Sequence, residues 1–409
     1  MREALHTNEP KAFVRFRSGG AARDRFKRVR LRKVALAVGI GVIFAAAALN
    51  VGKGFYWATL YSQDFQWSPA VLLSEGRDPY AWFLDGNAGE RIMMSQEPNY
   101  LHLLYVLLLP FTYLPWAAAK AAWAVCNVAA GALSIHLVAR ANGLRGAAYL
   151  FAVGTFLAAG PFSHALGGGQ QSLFVLLALA AAWTWRNSAA GGFWLAVGVV
   201  KYSFLPPLGL WLLMERRIMT LAIAALITVL ALCLFAALSG ADLVIAAFEP
   251  LRVSAQATHV GIGDAMSFAR VLGADQQFGA AAPYILGLCC ASAGVLVVWR
   301  CRSTLDDAVI FALLNIVSLF SLFHQVYDYV LLLPLFCCAL TFPPTLRASS
   351  LAYVGYIWFV FYYIDGPWMK SPAVIGATAL ASAAIFTLIL RHRAHAAPPC
   401  SAPNPIAIV

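Results

Sequence analysis

Charge is the first thing this sequence lacks. Only 11% of its 409 residues are Asp, Glu, Lys or Arg, whereas a soluble domain carries about 25%. A chain this poor in charge cannot clothe a water-facing globule, so a soluble enzyme or binding domain is excluded. The eight cysteines include no CxxC pair and nearly all lie in or beside apolar runs. No thiolate metal site and no disulfide framework is expected from them. The one glycine run, Gly167-Gly168-Gly169, is followed by Gln170-Gln171-Ser172 and not by Gly-Lys-Ser/Thr. The phosphate loop of soluble nucleotide enzymes is therefore missing, as are the GxSxG and HExxH signatures of hydrolases. Neither a metal nor a cofactor is expected.

What the sequence has instead is apolar length, with 61% hydrophobic residues. A membrane span needs about 20 apolar residues. Residues 34–50, 218–238 and 372–390 each meet that alone, and longer apolar blocks divide at Pro, Lys and Gly. The division predicts an all-α polytopic membrane protein of about 12 spans, near 34–52, 101–116, 119–139, 147–163, 170–186, 192–213, 218–239, 284–299, 308–323, 326–342, 349–364 and 373–390. Residues 53–100 and 240–283 are too polar to span and too long for turns, so two long extracytoplasmic loops are expected. Residues 1–33 read as a basic cytoplasmic tail, 34–391 as the membrane domain, and 392–409, rich in Ala and Pro, as a disordered tail.

Orientation follows from basic residues. Eleven of the 29 Lys and Arg fall between Arg2 and Lys33, and the positive-inside rule places that tail in the cytoplasm. Nucleic-acid binding is the rival reading of the run and is set aside because the run abuts a span. Twelve spans return the C-terminus to the cytoplasm. Cytoplasmic segments then hold 19 basic and six acidic residues, and outer segments nine basic and twelve acidic. That count puts Lys120 inside and leaves Arg140 and Arg145 outside, a local violation of the rule.

In an apolar bundle an ionisable residue is a functional candidate by default, because leaving it unpaired is costly. Asp64, in Tyr61-Ser62-Gln63-Asp64-Phe65, reads as a general base at the membrane surface or as a solvated loop acid. Glu75-Gly76-Arg77-Asp78-Pro79-Tyr80 is a turn in which Arg77 can meet a phosphate. Lys201 falls inside the sixth expected span, about nine residues or 14 Å from its nearer end. An anionic partner in a polar cavity suits it better than snorkelling to the surface. In His324-Gln325-Val326-Tyr327-Asp328-Tyr329, His and Asp lie four apart and share a face if the stretch is helical. Asp328 can equally cap the helix that follows.

These positions, with Trp123, Asn127 and the Gly169-Gln170 pair between them, resemble glycosyltransferase family 87 from about residue 35 to 390. One departure is Pro98-Asn99-Tyr100-Leu101-His102, where many members carry Tyr-x-Pro-Pro. The resemblance implies a GT-C-type bundle in the bacterial inner membrane. It implies transfer of a mannose-like hexose or arabinofuranose from a polyprenyl-phosphate donor to a glycan or glycolipid acceptor on the extracytoplasmic face. Asp64 matches the presumed base and His324 a histidine near the donor phosphate or acceptor. Arg77, Tyr80, Gln170, Lys201, Tyr327 and Asp328 fall on donor-phosphate or substrate contacts. The bilayer is the expected surroundings, with no nucleic-acid partner. The rival functions are a secondary transporter, for which two matching halves are missing, and a flippase of lipid-linked glycans.

Overall fold

The structure, a computed structural model, describes residues 19–256, 260–360 and 371–396. Most of the basic tail, the end of the eleventh expected span and most of the C-terminal tail lie outside these residues. Every regular element among the described residues is helical. In chain order these are α1 Gly19–Leu60, α2 Trp67–Ser74, α3 Pro79–Leu84, α4 Ala88–Arg91, α5 His102–Thr112, α6 Trp116–Ala141, α7 Gly146–Ala158, α8 Gly160–Gly167, α9 Ser172–Thr184 and α10 Ala189–Val199. They continue with α11 Leu205–Met214, α12 Ile218–Ser239, α13 Leu243–Gln256, α14 Ala265–Val271, α15 Ala274–Phe278, α16 Ala282–Cys301, α17 Asp307–Ser321, α18 Leu333–Ala339, α19 Pro344–Gly355 and α20 Pro372–Ala396. Among the described residues, five helices are long and apolar enough to cross a membrane, within α1, α6, α12, α16 and α20. The pair α7 and α8, bent by 52°, makes a sixth if counted as one span. The chain is thus a membrane protein that is all-helical among the described residues.

The bend has a local cause. Pro161 opens α8, and the proline ring excludes the preceding helical turn. The carbonyl freed at Leu157 is taken by Asn50 Nδ2 at 2.9 Å, and the same nitrogen also donates to Ala159 O at 2.9 Å. A polar side chain of α1 thereby satisfies backbone groups that apolar surroundings would leave bare.

Two expected spans are corrected. The segment 101–116 is the 11-residue α5, about 16 Å long, and both of its ends stay at one end of the bundle. His102 Nε2 donates to Ala246 O, and Phe111 O accepts from Trp67 Nε1. Helix α6 then starts where α1 stops, with Lys120 Nζ on Leu60 O at 2.8 Å. The segment 192–213 breaks at Lys201 and folds back. A Cβ on Gly192, near the start of α10, would lie 2.7 Å from Ile223 and 2.8 Å from Thr220 O at the start of α12. The end of α11 reaches the same place through Arg217 N to Leu212 O. Pro206 and Pro207 at the start of α11 prevent one continuous helix.

These corrections reverse the expected direction of α6 to α9. Arg140 and Arg145 move to the end that holds the start of α1, and so does Arg186, which pairs with Asp307. Lys120 moves to the other end. The local violation of the positive-inside rule disappears. The fold-back at Lys201 restores the original parity from α12 onward, so α20 runs back toward the end where α1 begins.

The hairpin also sinks its tip. From Gly192 to Val199 the chain rises about 10 Å, while α12 continues about 28 Å from Thr220 to Ser239. Lys201 therefore lies well within the thickness of the bundle. The short helices α9 and α17 around it are buried along nearly their whole length. Twelve spans would put Arg145 and Glu90 on the same face, whereas the structure sets them at opposite ends. In a cysteine-free background we expect a membrane-impermeant maleimide to label Arg145→Cys and Glu90→Cys from opposite faces. Labelling from one face would overturn the corrected path.

Candidate active site

The site gathers at the end of the bundle where α1 finishes. Asp64 lies in the tight connection from α1 to α2. On either side of it Ser62 (φ 46°) and Gln66 (φ 66°) adopt the left-handed region, a conformation that costs a non-glycine residue free energy and clusters at functional sites. Asp64 N donates to Gly168 O at 2.9 Å. Gly169 makes the approach feasible, since its φ is +68° and a Cβ would sit 3.1 Å from Phe65 and Ser62. Trp123 clamps the junction by donating Nε1 to Gly169 O at 2.8 Å while its ring stacks on Phe65 and Phe174.

The Asp64 carboxyl has two protein donors. Gln66 Nε2 reaches Oδ1 at 2.5 Å and the Tyr100 hydroxyl reaches Oδ2 at 2.9 Å. Burial pushes the Asp64 pKa up to about 7, against the pull of those two bonds and of the Lys201 charge. Burial and the nearby Asp64 carboxyl hold the Tyr100 phenol well above its ordinary range, so it acts as a donor. Tyr105 donates to Gln66 Oε1 at 3.3 Å and Tyr80 to Tyr100 O at 2.6 Å. Tyr80, expected at the substrate, thus stands one layer behind Asp64 and supports Tyr100. Asp78 caps α3 by accepting from Tyr80 N and Ala81 N.

Opposite Asp64 stands the buried cation. Lys201 Nζ pairs with Asp328 Oδ1 at 2.5 Å. Ser172 Oγ donates to the same oxygen at 2.5 Å and lies 3.5 Å from Nζ. Asp328 Oδ2 accepts from Gln325 N at 2.9 Å, capping the 3₁₀ turn Val326–Leu332. Both anticipated roles of Asp328, cap and partner, are filled by its two oxygens. The Tyr327 ring lies 4.7 Å from Nζ and the Phe204 ring 5.4 Å. Lys201 is not in mid-helix, as its sequence position suggests, but in the break between α10 and Tyr202–Phe204.

Asp64, Lys201, Tyr327 and Asp328 therefore converge, and Gln170 lies buried on the strap between them. Arg77 does not join them. It is exposed on its turn, its guanidinium 4.9 Å from the Trp82 ring. His324 is fully buried nearby but faces the other way from Asp328, because the helical turn begins only at Val326. Its Nδ1 lies 3.2 Å from Leu322 O and 3.7 Å from Asp264 Oδ2, and its ring packs edge-on to Tyr329. Burial raises the Asp264 pKa above its ordinary value. Sequence reasoning missed Gln66, Gln171 and Ser172 and read Tyr100 only as a departure from pattern. The signal available for the second and third was their place directly after the glycine run. Among the described residues no group of three His, Cys, Asp or Glu side chains is arranged to hold a metal.

A helical membrane protein that gathers a buried carboxyl and a paired lysine at one end has the groups to handle a polar substrate at a bilayer. The profile of glycosyltransferase family 87 matches residues 103–334, more than half of the chain. The chain belongs to that family, and it is a membrane glycosyltransferase. Lys201, Asp328, Gln170 and His324 lie within the matched residues, while Asp64 precedes them. No curated protein and no solved structure matches the chain.

Removing one member of a buried ion pair costs about 3–5 kcal/mol, because the other charge is left uncompensated. Asp328→Asn is accordingly expected to lower the thermal midpoint in detergent, and the double change Lys201→Met with Asp328→Leu to regain much of it. An unchanged midpoint in Asp328→Asn would show that the pair is not desolvated.

Proposed function

We propose that this protein moves a sugar from a polyprenyl-phosphate donor to a glycan or glycolipid acceptor, at the extracytoplasmic face of a bacterial inner membrane. The observation that carries the reading is the opposition of Asp64 and Lys201 at one end of the bundle, with Asp64 held near neutrality in its titration. The basic residues 1–33 and the arginines at the far end support, by the positive-inside rule, a reading with both termini in the cytoplasm and the Asp64 end outside. Residues 34–391 form the transferase, with ten crossings and the α10–α11 hairpin in place of twelve crossings. The donor sugar is a mannose-like hexose or arabinofuranose, by family resemblance.

The acceptor hydroxyl approaches Asp64, whose carboxylate takes its proton as the oxygen attacks the anomeric carbon. The bond from that carbon to the phosphate oxygen breaks, and the electron pair leaves with polyprenyl phosphate. Phosphate charge thereby grows from one negative charge toward two. Lys201 faces that growing charge, in surroundings where a fixed cation acts more strongly than in water. Attack opposite the leaving group inverts the anomeric centre. Tyr100 and Gln66 orient the carboxyl and keep it from titrating still higher.

The pH dependence has a definite sign. A base acts only when deprotonated, so the rate falls as pH drops through the Asp64 pKa of about 7. We expect transfer in native membranes to rise with a one-proton slope and to level off above that point. Asp64→Asn is expected to lower the rate by roughly 10²–10⁴-fold or more. Tyr100→Phe removes a bond that favours the carboxylate, so the rising limb moves to higher pH. Undiminished transfer by Asp64→Asn would remove it from the base role.

A further inference from the structure

Gln171 stands at the junction of the two halves of this site. The residue is 1% exposed. Nε2 lies 3.0 Å from Asp64 O and 3.4 Å from Phe65 O, donating to these backbone carbonyls. Two acceptors on one nitrogen fix the orientation of the amide, because the reversed amide would set oxygen against oxygen. Oε1 is therefore turned away from the Asp64 connection. Among the described residues it has no hydrogen-bond partner. A buried acceptor without a partner is costly, and proteins keep few of them without a reason.

Position gives the reason. The next residue, Ser172, holds Asp328 and lies against Lys201. One residue of chain, about 3.8 Å between Cα atoms, separates the residue bonded to the Asp64 backbone from the residue bonded to the lysine's partner. In the proposed transfer the base reaches one side of the anomeric carbon and the cation reaches the phosphate on the other. In that geometry the sugar ring lies against the strap that carries Gln171. An amide oxygen accepts only, so the group it suits is a hydroxyl. The neutrality of the amide also fits. A carboxylate at this position would crowd Asp64 with a second negative charge and hinder its ionisation.

We propose that Gln171 Oε1 accepts a hydrogen bond from a ring hydroxyl of the donor sugar and so helps to select the sugar. The inference rests on the glycosyl-transfer reading above. A site built around a substrate hydroxyl discriminates against the analogue that lacks it, because its buried partner is left bare.

The test compares short-chain polyprenyl-phosphate mannose and arabinofuranose with their monodeoxy analogues, in native membranes that supply the acceptor. For the wild-type protein, one deoxy position is expected to lower kcat/KM by roughly 10–100-fold. Gln171→Met, of similar size and without the acceptor, is expected to slow the parent sugar and to erase the penalty at that one position. If Gln171 serves only to hold the Asp64 connection, Gln171→Met slows parent and deoxy donors by one factor and the penalty survives, which overturns the inference. Absence of any deoxy penalty in the wild type overturns it too. Transfer from none of these donors would sink the glycosyl-transfer reading, and this inference with it. Tryptophan-fluorescence melting checks that the variant folds. If it does not, Gln171→Asn, which retracts the amide by one methylene, is put through the same comparison.

Discussion

The contact on which the rest of the structure depends is the ion pair of Lys201 and Asp328. It joins three places where helices stop inside the bundle: the tip of the α10–α11 hairpin, the N-terminus of α9 at Ser172, and the 3₁₀ turn that precedes α18. Broken helices expose backbone groups, and apolar surroundings tolerate that only where partners are supplied. Here Val200 O is taken by Leu101 N and Gln325 N by Asp328 Oδ2. The pair itself is no source of great stability, since desolvating two charges offsets most of their attraction. What it provides is a lysine held in one place at depth. For the proposed reaction Lys201 and Asp328 cancel, so the charge the site gains on ionisation is that of Asp64, whose pKa near 7 lets the carboxylate form at neutral pH.

Depth follows from helix length. The hairpin and α9 are about half as long as the helices around them, so the polar groups at their tips sit below the rim. The layer of α2, α3, α5 and α13 closes over that recess. Its members are tied to one another by specific bonds, Tyr80 to Tyr100 O and His102 to Ala246 O, and to the hairpin by Leu101 N to Val200 O. Burial of this kind raises the Asp64 pKa. A carboxyl at an open surface would titrate near 4 and make a weaker base at neutral pH.

Sequence reading reached the helical membrane class and the residues Asp64, Lys201 and Asp328 for one reason. In a chain with 11% charged residues, each charge within an apolar stretch stands out. It failed on α5 and on the α10–α11 hairpin because hydropathy measures apolar length and not direction. Both segments are apolar, yet neither carries the chain from one end of the bundle to the other. The two errors cancel in parity, so the balance of charge beyond α12 gave no warning. Arg140 and Arg145 did give one, and Pro206-Pro207 marked the break. Neutral polar residues were harder to see. Gln66, Gln171 and Ser172 differ from many other Gln and Ser residues only in what the fold brings beside them.

The strap of residues 168–172 explains how one short piece of chain sets the geometry of the whole site. Gly168 O accepts from Asp64 N, and Gln171 Nε2 holds Asp64 O. Ser172 holds Asp328, which holds Lys201. The spacing from carboxyl to cation is therefore set by about four residues of backbone, clamped from behind by Trp123 on Gly169 O. Asp64 precedes the region matched by the family profile, residues 103–334, while the strap lies within it. The carboxyl is thus carried by one part of the chain and placed by another. Lengthening the strap by one residue would separate base from cation by up to ~3.8 Å, more than the reach of a hydrogen bond, with neither group altered. That sensitivity is what a transfer between two fixed groups demands, since reacting atoms must be held about 3–3.5 Å apart. A loop that looks like a plain glycine-rich turn in the sequence is, in the fold, the ruler of the site.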